Sequence, residues 1–131
     1  MAAVLQMALN GGYYGDLALY SPETIATFTG YQSSISRRGF GWDKPEKELD
    51  KGGSAGKLAP KSTFGHTGFT GTCAWADPDN ELIYVFLSNR VHPNAENNVL
   101  LKEGYRQRIH DVIYKSMQIE LFQERLVDAE D

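Results

Sequence analysis

His66 is the residue of this 131-residue chain best suited to hold or move a proton near neutrality. An imidazole changes charge at a pKa of about 6.5, and this one lies in the run His66-Thr67-Gly68-Phe69-Thr70-Gly71. Ser54-Ala55-Gly56-Lys57 could pair a nucleophile with a base only if both side chains shared one turn at the start of a buried helix, where the amine can take the hydroxyl proton. Gly52-Gly53 before it, Gly56 inside it and Pro60 after it argue for a flexible loop instead. The single cysteine, Cys73, excludes an internal disulfide and reads as a small buried strand residue, with nothing nearby to lower its pKa. His66, His92 and His110 fall on different elements without paired metal-ligand spacing, so neither a metal nor another cofactor is expected. Arg37-Arg38 reads as a solvated loop pair.

The elements that must position His66 are legible around it. A short strand at 66–68 leads by way of a turn at 69–71 into a hairpin: strand 72–76, a turn at Asp77-Pro78-Asp79-Asn80, then strand 82–88. Pro78 pre-sets φ for a turn, and the flanking Asp and Asn side chains can bond local backbone. Residues 82–87 are apolar at every position, the pattern of a strand covered on both faces. A helix over 2–10 is apolar all round and stops at Asn10-Gly11-Gly12, where glycine can take the left-handed position. It is expected to be a buried helix end. Ser21-Pro22-Glu23 is a helix start, with Ser as N-cap, Pro at N1 and an acid in the first turn, for a helix over 21–29. Periodicity is lost from 31 to 62. Phe40-Gly41-Trp42 reads as a short strand or a close-packed anchor, and 43–61 as a mobile, charged variable loop. A last helix over 95–117 presents the stripe Leu101, Tyr105, Ile109, Val112 and Ile113 to the sheet, weakened at Gly104. The tail 118–131 carries Ile119, Phe122 and Leu126 at helical spacing. The fold expected is α+β, an antiparallel sheet packed against N- and C-terminal helices.

The order of these pieces resembles the C-terminal part of the serine β-lactamase and penicillin-binding-protein family, in particular its class C-like esterases and peptidases. His66-Thr67-Gly68, Gly71-Thr72, Asp77-Pro78-Asp79-Asn80-Glu81, Leu87-Ser88-Asn89 and His92-Pro93-Asn94 carry the resemblance, which reaches upstream to residues 5–12 and 19–24 and covers the chain to about Met117. It implies a partial β-lactamase/transpeptidase-like fold in which His66 points into a cleft as a catalytic residue. The backbone N–H of Phe69 would supply one of two oxyanion donors, and Thr67, Gly68, Thr70 and Gly71 would bind substrate. Histidine stands here where the family more usually has lysine, a departure that points to esterases and peptidases more than to penicillin hydrolysis. The family's S-x-x-K nucleophile lies far upstream of its third motif, unlike Ser54, and none of the seven tyrosines begins a Y-x-N.

The resemblance therefore implies a fragment that supplies the third-motif strand, acting on a small-molecule or peptide substrate together with an upstream part of the same parent chain. The other reading is a non-catalytic peptide- or cell-wall-binding or assembly module that uses the same strand, with a homodimer formed through an open sheet edge. Relatives act mostly outside the cytoplasm, so a periplasmic or other extracytoplasmic place is implied. A net charge of −4 without a clustered basic surface argues against nucleic acid, and no apolar run approaches the length of a transmembrane segment.

Overall fold

A computed structural model describes residues 1–48 and 51–127, with side chains described to residue 118. Its elements in chain order are α1 (Ala2–Leu9), β1 (Tyr13–Tyr14), β2 (Leu17–Ala18), α2 (Pro22–Thr29), β3 (Phe64–Thr67), β4 (Cys73–Asp77), β5 (Leu82–Phe86), α3 (Val99–Lys102) and α4 (Tyr105–Val127). The architecture is α+β, as expected. β1 and β2 form a small hairpin, and β3-β4-β5 form an antiparallel sheet with β4 in the middle.

Side-chain alternation along β4 builds the two halves of the core. Ala74 and Ala76 join Leu5 and Ala8 of α1 and Phe64 of β3 on one face. Cys73 and Trp75 face the other way, with Tyr84 and Ala55 and with Ile113 of α4 packed against them. Every residue of β4 is buried, whereas β5 is fully buried only at Tyr84. The strand covered on both faces is thus β4 and not the expected 82–87; β5 is an outer strand, and Leu87 just beyond it is 73% exposed.

Both helix punctuation signals work as written. Gly11 takes φ +64°, and the N–H groups of Gly12 and Gly11 return to the carbonyls of Met7 and Ala8 as a Schellman stop. Ser21 Oγ accepts from the Thr24 N–H at 3.2 Å, capping α2. α1, however, buries only Leu5 and Ala8, and Val4 is half exposed, so it is a helix with one packed stripe instead of the expected buried end.

The expected C-terminal helix is two helices. Gly104 adopts φ +60° between α3 and α4, a conformation that stops a helix outright. The face of α4 turned to the sheet carries Arg106, His110 and Tyr114, all buried, while Leu101, Tyr105, Ile109 and Val112 are exposed. Of the expected stripe, only Ile113 packs on the sheet. The polar side is buried because the sheet, its first turn and the loop at Gly56 meet it with hydrogen-bonding groups. Tyr114 donates to Asp77 Oδ2 at 2.7 Å, Arg106 donates to the Thr72 carbonyl at 3.1 Å, and His110 Nδ1 accepts from the Gly56 N–H at 3.2 Å. The α4 backbone continues through the tail to Val127; the side chains of Ile119, Phe122 and Leu126 and residues 128–131 lie outside those described.

The segment expected as a variable loop, 43–61, is anchored at its start. Asp43 exchanges two backbone hydrogen bonds with Gly65 beside β3, and Lys44 is buried with its ammonium on the carbonyls of Ser62 and Thr63. Burial pulls the Lys44 pKa down to about 8.

Candidate active site

The turn from β3 to β4 fixes the geometry of the motif. Gly68 and Thr72 pair through the Gly68 N–H, at 2.8 Å from the Thr72 carbonyl, and the Gly71 N–H closes a tight turn on the Gly68 carbonyl at 3.0 Å. Gly71 has φ +91° while Phe69 and Thr70 keep negative φ, which is a three-residue hairpin loop: a type I turn followed by a left-handed glycine. Any side chain at Gly71 would also meet Ser88 Oγ at 2.6 Å. Gly68 lacks a side chain for a local reason as well, since a Cβ there would sit 2.2 Å from Thr72 Oγ1.

His66 lies opposite Ala74 on the same face of the sheet as α1. There a groove of about 210 Å³ runs between the start of α1 and the end of β3, with Val4, Leu5 and Trp42 as apolar walls and His66, Thr67 and Gly68 on the strand side. A roomier hollow of about 350 Å³ lies between α1 and α2, but its lining holds no acid or base apart from the phenol of Tyr20. The smaller groove is the one that His66 lines.

Both ring nitrogens of His66 are engaged. Nδ1 is 2.8 Å from the Thr67 carbonyl, and Nε2 is 2.8 Å from Nη1 of Arg38. A carbonyl only accepts and a guanidinium only donates, so Nδ1 carries the proton and Nε2 offers its lone pair. The neighbouring Arg37 is spent elsewhere. It grips the buried Asp43 through two hydrogen bonds of 2.7 and 3.2 Å, and it reaches Glu46 Oε1 at 2.6 Å and Ser54 Oγ at 3.1 Å. Burial pushes the Asp43 carboxyl up, but the hydrogen bonds and charge of Arg37 outweigh it and hold the group below the usual carboxylate range. The pair expected to be solvated is therefore one structural arginine and one half-exposed arginine on the His66 ring. Only a buried carboxylate six residues on could have signalled this, and burial is not visible in sequence.

The remaining motif residues divide. The Phe69 ring is exposed and covered by the Arg90 guanidinium at 4.9 Å, and its backbone N–H meets no acceptor among the described residues. Thr70 and Gly71 do not line the groove; the Thr70 carbonyl accepts from Ser88 Oγ at 3.0 Å and from the Arg90 N–H at 2.9 Å, tying the turn to the end of β5. Ser54 to Lys57 lie in bend and turn, not helix, with the Ser54 hydroxyl held by Arg37. Among the described residues no three His, Cys, Asp or Glu side chains stand close enough together to hold a metal ion, and no helix is long and apolar enough to cross a membrane.

A family model described as Beta-lactamase matches residues 6–104. Proteins of Salmonella enteritidis PT4 and Salmonella gallinarum, both provisionally named D-alanyl-D-alanine carboxypeptidase, are 36% identical over 126 residues, which covers 89% of this chain and 29% of each relative. The chain thus spans less than a third of the length of the curated relatives it matches. A solved structure provisionally described as a β-lactamase, from Bacteroides dorei DSM 17855, aligns over 76% of this chain and 36% of its own, with TM-score 0.44 and 15% identity.

Proposed function

This chain belongs to the β-lactamase family of serine hydrolases and penicillin-binding proteins, and from that premise we propose that it supplies the third-motif strand of an acyl-transferring enzyme whose nucleophile lies in another part of a longer polypeptide. The observation that carries the reading is His66 on β3 at the edge of an apolar groove, three residues before a backbone N–H that meets no acceptor among the described residues. In the reaction a serine elsewhere attacks the carbonyl carbon of an ester, amide or peptide, and charge collects on the carbonyl oxygen. The Phe69 N–H is one donor to that oxygen. His66 acts beside it by hydrogen bonding to the substrate or to the catalytic base. Thr67 and Gly68 line the substrate strand, and Thr70 and Gly71 hold the turn that aims the N–H. The names of the Salmonella relatives suggest a peptide ending in D-alanyl-D-alanine as the substrate class.

An activated-serine probe tests the division of labour. The expected result is no labelling of the 131-residue chain at any serine, and stoichiometric labelling when the same segment sits in the longer polypeptide. Robust labelling of this chain alone, at Ser54 or elsewhere, would overturn it.

A second reading has one observation in its favour. β5 ends the sheet with no strand beyond it among the described residues, so the edge could pair with another chain in a binding or assembly role. Sedimentation over a hundredfold range of concentration decides it: a homodimer through this edge gives a concentration-dependent mass, and a constant monomer mass excludes it.

A further inference from the structure

We propose that Arg38 is a positioning residue for His66, capping Nε2 so that the ring rests at the groove as a neutral acceptor until an incoming O–H or N–H group takes the place of the guanidinium. The inference rests on the reading of the groove as the substrate's place, and it concerns a residue outside the motif.

Three observations carry it. First, the direction of both hydrogen bonds to the ring is forced by chemistry, so the only lone pair His66 can offer is the one Arg38 occupies at 2.8 Å. Second, the two adjacent arginines are held very differently. Arg37 is tied to Asp43, Glu46 and Ser54, which fixes the backbone from which Arg38 projects. Arg38 has only a looser second contact, Nε at 3.6 Å from Asp43 Oδ1, and is 51% exposed, so its guanidinium can swing into water without disturbing the segment. Third, the ring itself is pinned by Nδ1–H on the Thr67 carbonyl, within its own strand. When Arg38 leaves, His66 keeps its orientation and is left with a free Nε2 beside the groove that the residue lines. A group that reaches Nε2 must therefore bring a donor, and an anionic neighbour on the same ligand would find the displaced guanidinium beside it.

The test begins with the unmodified chain. Nitrogen-15 spectra of the histidine side chains at pH 8 should show His66 with the proton on Nδ1 and a bare Nε2; a proton on Nε2 overturns the proposal by itself. Diethylpyrocarbonate, which reacts at an unprotonated and uncapped imidazole nitrogen, then reads the cap. In the parent chain His66 should react more slowly than the exposed His92. Arg38→Ala should speed His66 by about tenfold, the protection an ordinary net hydrogen bond confers, with His92 unchanged; Arg38→Lys, which keeps a donor, should fall between. Equal His66 rates in the parent and in Arg38→Ala would overturn the cap. Reaction of the buried His110 would betray a loosened fold, in which case the tautomer of the unmodified chain decides. Failure of the cap leaves the family reading intact, whereas loss of the family reading would show as unchanged turnover on His66→Ala in the longer enzyme even with the cap in place.

Discussion

Arg37 and Arg38 differ by one position and by their consequences for stability. Removing Arg37 leaves the carboxylate of Asp43, which is 1% exposed, with only the Lys44 N–H at 3.0 Å and the looser Arg38 contact at 3.6 Å, and breaking a buried pair of this kind costs about 3 kcal/mol. Arg38 is half exposed and its loss should cost under about 1 kcal/mol. Urea unfolding of Arg37→Ala and Arg38→Ala checks this pair, and similar midpoints would contradict it. His110 gives a second residue-level expectation. Its ring lies stacked against Tyr84 at 4.7 Å and near Tyr114 at 5.0 Å, and burial lowers its pKa from 6.5 to about 4 although Asp111 and Asp77 pull the other way. Above pH 6.5 both folded and unfolded chains hold it neutral, so it adds no pH dependence there. Between about 6.5 and 4 only the unfolded chain takes the proton, so stability falls as pH falls, by about 3 kcal/mol across the window. His110→Phe should be the less stable protein at pH 7, because the Gly56 N–H loses its acceptor, and the gap should narrow by pH 4.5. A constant gap between the two urea midpoints would contradict the assignment.

The helices and strands were readable where the signal is local and unreadable where it depends on a partner. Gly11-Gly12 and Ser21-Pro22 fix the end of α1 and the start of α2 through backbone geometry that only neighbouring residues determine. The stripe Leu101, Tyr105, Ile109 and Val112 has helical periodicity but misleads, because the sheet opposite offers the Gly71 and Thr72 carbonyls and the Asp77 carboxylate, which Arg106 and Tyr114 satisfy and leucine could not. The centrality of β4 was hidden in the same way: Cys-Ala-Trp-Ala-Asp does not read as a core strand until Asp77 is seen accepting from Tyr114 and from the N–H of Asp79. Gly104 offers a sign test of the helix break. In one continuous helix Gly104→Ala would stabilise by up to about 1 kcal/mol. At φ +60°, where an added Cβ would meet only Gln107 Oε1 at an ordinary 3.7 Å, it should instead destabilise by about 1–2 kcal/mol through the backbone alone, as read by thermal or urea unfolding.

At the scale of the molecule, β4 divides the core so that α1 and the His66 groove lie on one face and α4 with its buried polar ladder on the other. The motif strand and its position were legible from His66-Thr67-Gly68 and Gly71-Thr72, while the groove wall and Arg38 were not, because residues 1–5, 38 and 42 meet β3 only through tertiary packing. The central claim, that the strand and turn serve acyl transfer, meets its most direct test at Phe69. It is the second residue of a type I turn, where proline is accommodated, so Phe69→Pro deletes the N–H while keeping the turn. In the longer polypeptide that carries this segment, turnover of an ester or D-alanyl-D-alanine peptide should fall about 10²–10³-fold with the fold intact, the loss typical of one oxyanion donor. Unchanged turnover in a folded Phe69→Pro variant would contradict the role given to this strand.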